Sequence, residues 1–543
     1  MLRTRRGNPV RRIAMLTAAL TVALASASAA APAQESSLPD IGSSAGELLN
    51  PAEQERYGSL LLAQLRHHEF LLEDPLVDSW LRSLGTRLAA NSDRPRQPFT
   101  FFMMRQRQIN AFATLGGYIG INAGLVLAAE REDEVAAVMS HEIAHVTQEH
   151  VLRGAERAQR DQLPILLAMV GAMVAAQAAG GNSADDASQA AIVSAMGLMQ
   201  QRQINYTRSN EHEADRLGIQ TLARSHYDAD AMAGFFQTMQ TRSRSNSATF
   251  YGDSPDYLLT HPVTTTRISE AKARAKQIAS QPAGYASESV SSDNPLLPGG
   301  LLPNGFNLSG SMLQRDGTGR FEMARERLRV LSAETPRAAV REYEQMAAAG
   351  ELSVAQRYGL SIARLRSHEE AAAASALKAL IAEHPGDLWM ALALAEAEAH
   401  SGQRAEADAR LEALLRQAPS NRAVALTYAG LLSERNDVES GKRAQALLRP
   451  LLGSSADDAL FQRTYARASE VAGDSVRAGE AYAEAALLGG RPEQALVQLN
   501  TLIKRPELDY YARARIEARI AQITPIVLEL RRQGIRDEDL RRK

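Results

Sequence analysis

Apolar residues recur at three- and four-residue spacing along most of this chain, the periodicity of helices with one buried face. Pro51 to about Leu88 carries the pattern in Leu60, Leu61, Leu65, Phe70 and Leu71, and predicts a helical segment. Phe99 to Met104 is rich in aromatics and reads as a strand. Asn110 to Ile121, with Gly116 and Gly117 inside it, reads as a second strand or a hairpin. Helices are predicted over Ala128–Arg153, Ser209–Ala223 and Thr265–Ile278. Leu163 to Ala179 is almost wholly apolar, is broken by Gly180-Gly181-Asn182-Ser183, and gives way to a helical pattern over Ala187–Gln200. With Pro164 inside it and Asp161 and Gln162 before it, the apolar stretch reads as a buried helix or a lid, or alternatively as a segment in peripheral contact with a membrane.

Gln281 to Ser311 is punctuated by Pro295, Pro298, Gly299, Gly300, Pro303 and Gly305, so a linker over 281–318 divides the chain. Beyond it the pattern repeats. Pro385 and Pro419 stand 34 residues apart, with Gly402, Ala407, Leu411 and Leu414 between them. Leu360, Ala373, Leu377 and Leu380 fall in register one unit earlier. This spacing resembles tetratricopeptide repeats, in which small residues let paired helices cross closely. Four or five units fit between 319 and 525, with less regular ones over Ala444–Leu448, Gly473–Ala486 and Arg491–Ile503; a plain helical bundle is the other reading. Such units stack into an α-solenoid with a concave face for peptides or proteins. Residues 526–543 read as a charged tail.

Composition sharpens the picture. The chain has 543 residues, 45% hydrophobic and 23% charged, with 5% aromatic, which suits a mainly α protein of more than one domain. Five arginines by residue 12, an apolar run from Ile13 to Ala25 and the small residues Ala31-Pro32-Ala33 make residues 1–33 a signal peptide; an uncleaved anchor is the alternative. Removing them takes five arginines and no acid, and moves the formal net charge from −2 to −7. A mildly acidic protein is poorly suited to nucleic acid. With no cysteine, an exported chain has no disulfide and is held by packing. A bacterial periplasm fits these features.

The chemistry lies in His141-Glu142-Ile143-Ala144-His145. Histidines four apart on a helix share one face and can bind one zinc ion, and the glutamate between them can act as general base. A glycine at 148 and a histidine at 151 would make a metzincin, but Gln148 and Val151 stand there, so the third ligand comes from elsewhere. Glu211-His212-Glu213-Ala214-Asp215 offers Glu211 as that ligand and Asp215, one turn on, as a hydrogen-bond partner that orients a ligand histidine. Two histidines and one glutamate leave a fourth position for water, the mark of a catalytic site. The remaining histidines, such as His67, His150 and His400, stand outside any motif and read as structural or surface residues.

Asn110-Ala111-Phe112-Ala113, Gly116-Gly117-Tyr118, the His141 motif, Arg208-Ser209-Asn210-Glu211 through Asp215, and Thr260-His261-Pro262 before Arg267-Ile268 occur in that order. Over residues 45–280 this resembles the CAAX-prenyl-protease-like family of zinc metallopeptidases. The resemblance implies a gluzincin-like α+β catalytic domain over 34–280 with a small sheet. It implies His141, His145 and Glu211 as ligands to one zinc ion and Glu142 as base. It also implies His261 as a histidine that approaches the metal and holds the enzyme latent, and the strand Gly117–Asn122 as the edge that pairs with an extended substrate. Exported members with C-terminal repeats act in outer-membrane protein quality control. That points to unfolded or stalled outer-membrane proteins as substrates and to the barrel assembly machinery as partner of the repeats. The rival reading is a repeat-domain chaperone or scaffold whose protease site is held shut.

Overall fold

The computed structural model describes residues 49–157, 207–247, 257, 261–280, 320–532 and 537. The expected signal segment 1–33, the apolar stretch 163–179 and the linker 281–318 lie outside them. The chain falls into two compact units, Met1–Pro51 with Glu149–Asn210 and Ala52–Gln148 with Glu211–Lys543. In the first unit residues 150–157 are helical. The second holds the candidate chemistry and the helices from residue 321 onward.

The single helical segment expected from Pro51 is two helices, α1 (Pro51–His67) and α2 (Pro75–Ala90). Glu69 takes a left-handed backbone, φ 58°, between them. Asp74 then caps α2 by accepting from the N–H groups of Leu76 and Val77, with Pro75 at the first helical position. An acid followed by proline is a helix-start signal that overrides the apolar periodicity running through it. Leu81, Leu84 and Leu88 of α2 are buried in the core.

Among the described residues three strands form one sheet, in the order β1 (Thr100–Met104), β3 (Tyr118–Asn122), β2 (Ala111–Ala113). β1 runs parallel to β3 and β2 antiparallel to it. The expected edge strand Gly117–Asn122 is thus the central strand, buried on both sides, and β1 and the short β2 flank it. The turn between β2 and β3 explains the paired glycines. Gly116 and Gly117 have φ of 73° and 80°, and a Cβ on Gly117 would stand 2.2 Å from the Pro98 carbonyl oxygen.

The helix expected over Ala128–Arg153 begins later, at Glu132, and breaks at Glu149, which has φ 55°. α3 (Ala123–Ala128) ends at Ala129, whose backbone is extended, and α4 (Glu132–Thr147) begins afresh. Glu132, Asp133 and Glu134 fill the first turn of α4, where negative charge complements the helix dipole. α5 (207–224), α6 (Ala231–Ser247) and α7 (Thr265–Ser280) follow.

The region expected to hold the repeats runs from α8 (Phe321–Leu331) through α9 (Pro336–Ala349), α10 (Val354–Arg366), α11 (Glu370–Glu383), α12 (Leu388–His400), α13 (Arg404–Gln417) and α14 (Arg422–Glu434). It continues through α15 (Val438–Leu448), α16 (Ala459–Val471), α17 (Ser475–Leu488) and α18 (Pro492–Leu502) to α19 (Tyr510–Arg532). From α10 onward each helix packs on the next. Asp387 and Asn421 cap α12 and α14 through their side chains, one repeat apart. α19 continues through Pro525 to Arg532, so the tail expected from residue 526 begins inside a helix. The mainly α architecture with one small sheet is as the sequence indicates.

The helices from residue 321 onward pack on those before residue 280. Arg327 of α8 places its guanidinium on the Asp74 carboxylate, 2.7 Å from Oδ2, both side chains buried. Arg107 donates to Ser332 Oγ at 3.1 Å and to Glu342 at 3.1 Å. The Trp80 ring lies 6.3 Å from that of Phe321. Both sets of helices share one continuous apolar core.

Candidate metal centre

α4 carries His141 and His145 one turn apart on its inner side, and α5 crosses it with Glu211 and Asp215. The crossing is close because Gly218 of α5 lies against the motif backbone. A Cβ there would stand 3.1 Å from the His141 nitrogen and 3.2 Å from its Cα. His141 is fully buried and Glu211 nearly so. His261, just before α7, enters from a third direction.

These side chains converge. One donor atom each from His141, His145, Glu211 and His261 lie within 4.8 Å of one another. His145 Nε2 is 3.0 Å from His141 Nε2, and the Glu211 oxygens are 3.3 Å and 3.4 Å from those two nitrogens. His261 Nδ1 is 3.3 Å from His141 Nε2 and 3.0 Å from Glu211 Oε1. Four donors around one zinc ion at about 2.0–2.1 Å would stand about 3.3 Å apart in tetrahedral array. The observed spacings match that array, so the residues fit the metal. The donor set of three imidazoles and one carboxylate is also the kind zinc prefers.

The electrostatics agree. Burial drives charge off His145 and pulls its pKa down to about 3. Burial opposes the charged form of Glu211 too, yet the three imidazoles hold its carboxyl well below the usual range. At His141 burial is outweighed by Asp215 and Glu211, which raise it to about 9. A metal ion would be held by the imidazoles in their neutral form together with the Glu211 carboxylate.

Around the donors stand the supporting groups. His141 Nδ1 is 3.0 Å from Asp215 Oδ1. Glu142 is buried, its Oε1 3.6 Å from His261 Nε2, and that oxygen accepts no hydrogen bond among the described residues. Tyr257 stacks on the His261 ring, centroids 4.7 Å apart, and its carbonyl accepts the His261 N–H at 2.8 Å. The structure thus brings together every candidate picked out along the sequence: His141, Glu142, His145, Glu211, Asp215 and His261. Two participants were missed. Tyr257 precedes His261 by four residues but belongs to no motif. Arg267 follows His261 in sequence with no chemistry legible in its position, yet its guanidinium is buried against both Asp215 and Glu211.

Among the described residues no helix is long and apolar enough to cross a membrane. The signature of peptidase family M48 matches residues 75–275, from the start of α2 to within α7. A beta-barrel assembly-enhancing protease of Yersinia pestis is 30% identical over 495 residues, 91% of this chain and 92% of that one. The protein of that name from Escherichia coli strain K12 is 28% identical over 94% of this chain and 96% of its own length. A putative beta-barrel assembly-enhancing protease of Vibrio cholerae is 43% identical over 240 residues, where the match spans 44% of this chain and 48% of that relative. The chain therefore belongs to peptidase family M48, in the group of the beta-barrel assembly-enhancing proteases, and is a zinc metalloprotease.

Proposed function

We propose that this chain is a periplasmic endopeptidase acting in the quality control and assembly of outer-membrane β-barrel proteins, and that it cleaves misfolded or stalled substrates. The convergence of His141, His145, Glu211 and His261 beside a buried Glu142 carries the reading of its chemistry. The names of its near full-length relatives support the substrate class.

In this reading His141, His145 and Glu211 hold the zinc ion, and Asp215 orients His141 through its far nitrogen. Zinc, when bound, supplies the Lewis acid that acidifies a water and polarises the scissile carbonyl. Glu142 takes a proton from the attacking water and returns it to the amine that leaves when the C–N bond breaks. An extended substrate segment adds to the sheet at the flanking strand β2, beside the motif helix, rather than to the central β3. The repeats present a surface to the barrel assembly machinery or to the substrate.

His261 is the regulatory group. Its Nδ1 stands where a fourth donor would stand, so it competes with the catalytic water for that position. The same observation favours a second activity, a chaperone or scaffold whose protease site stays latent until a partner draws His261 away. The test incubates the purified chain with an unfolded outer-membrane barrel protein, with and without a chelator. Chelator-sensitive cleavage is expected, rising with His261→Ala. Absence of cleavage by both proteins at full zinc occupancy would leave only the scaffold.

A further inference from the structure

Two carboxylates, Glu211 and Asp215, are buried one helical turn apart in the centre. Buried carboxylates need both charge compensation and hydrogen bonds. Arg267, in the first turn of α7, supplies both. Its Nε and Nη2 donate to the two oxygens of Asp215 at 2.7 Å and 2.8 Å, a bidentate fork. Its Nη1 lies 2.9 Å from Glu211 Oε2 and also donates to the Pro262 carbonyl at 2.9 Å. The guanidinium rests over the Phe236 ring, 4.6 Å from its centroid, which fixes its plane.

We propose that Arg267 is a positioning residue that sets Glu211 and the Asp215–His141 pair in ligating orientation and, through Pro262, ties the placement of His261 to the same side chain. The inference rests on the zinc assignment above. The fork fixes the carboxylate of Asp215, so the oxygen facing His141 Nδ1 at 3.0 Å cannot swing away. The contact from Nη1 restrains the rotation of Glu211 in the same way. Because one nitrogen serves both Glu211 and the backbone beside His261, displacement of the 261–262 segment changes the hydrogen bonding of a metal ligand.

Arg267→Lys and Arg267→Gln in the full-length chain separate this role from simple packing. Zinc affinity is measured by competition with a chelator, and ligand geometry by the visible absorption of the cobalt(II)-substituted protein. Loss of such outer contacts weakens metal binding about 10–100-fold. Arg267→Gln is expected to show that loss with a shifted cobalt spectrum. Arg267→Lys, which keeps the charge but not the fork, is expected to fall between it and the wild type. If Arg267→Gln does not fold, the double variant Asp215→Asn/Arg267→Gln removes both charges together and is expected to show the same loss of affinity. Wild-type affinity and spectrum in any folded variant lacking Arg267 would overturn the proposal. A wild-type chain that takes up no zinc would overturn the metal assignment instead, which keeps the two failures apart.

Discussion

Glu142 and His261 face each other across the centre, and their substitutions test opposite things. Glu142→Gln removes the proton acceptor but no donor of the metal set. Peptide hydrolysis is expected to fall by at least 10²–10⁴-fold, the usual scale of general base catalysis, while zinc content measured on the purified protein stays at one per chain. His261→Ala opens the fourth position and is expected to raise basal proteolysis or self-cleavage, read as fragment formation over time. Unchanged basal activity, self-cleavage and zinc affinity in that variant would remove His261 from regulation. That His141 and His145 share one helix face was legible in their spacing alone. Arg267 was not, because nothing in a single sequence says that an arginine on a later helix is buried between two acids.

At the scale of elements, the crossing of α4 and α5 decides whether Glu211 reaches the motif histidines. Gly218 permits it: a Cβ there meets the His141 backbone at 3.1 Å, and helix backbone yields only by moving the whole helix. Gly218→Val is therefore expected to push α5 outward and weaken zinc binding about tenfold or more through the displaced ligand. Gly218→Ala is expected to have a smaller effect of the same sign. Chelator competition on both variants checks the order. The sheet supplies a second lesson. Aromatic and glycine content marked both strand regions, but strand order depends on pairing between segments far apart in sequence. Thr100 pairs with Tyr118, and Ala111 with Ile121, which puts β3 in the middle.

At the scale of the molecule, the helices around the metal centre and those from residue 321 onward are packed together through ion pairs as well as apolar core. Asp74 caps α2 and at the same time neutralises Arg327 of α8. Arg327→Ala leaves that carboxylate buried without its partner and is expected to cost about 3–5 kcal/mol, read by chemical denaturation. Arg422 of α14 stands 3.9 Å from Asp78 of α2 at the same junction. Burial raises the Asp78 carboxyl to about 8, with Arg422 opposing and Asp74, Glu73 and Asp458 adding to the rise. An unfolded aspartate titrates near about 3.9, so between these values the folded chain keeps a proton that the unfolded chain releases. The stability this group contributes is present at low pH and is lost as pH rises toward about 8. Melting temperature is expected to fall over that window in the wild type and to depend less on pH in Asp78→Asn.

The sequence by itself determined what local spacing can carry: a helical chain, a histidine pair one turn apart with a glutamate between, an acidic pair one turn apart, and a repeat whose small residues and turns recur at a fixed period. Each of these depends on residues within a turn or two of one another. The tertiary structure decided what depends on distant segments meeting. It placed His261 within ligand distance of Glu211 and set Arg267 between the two acids. It put β3 in the middle of the sheet and packed the helices from residue 321 onward against α2. The physical reason is the same in each case: burial and ion pairing are properties of the whole packed core, and a linear pattern carries only the half contributed by one segment.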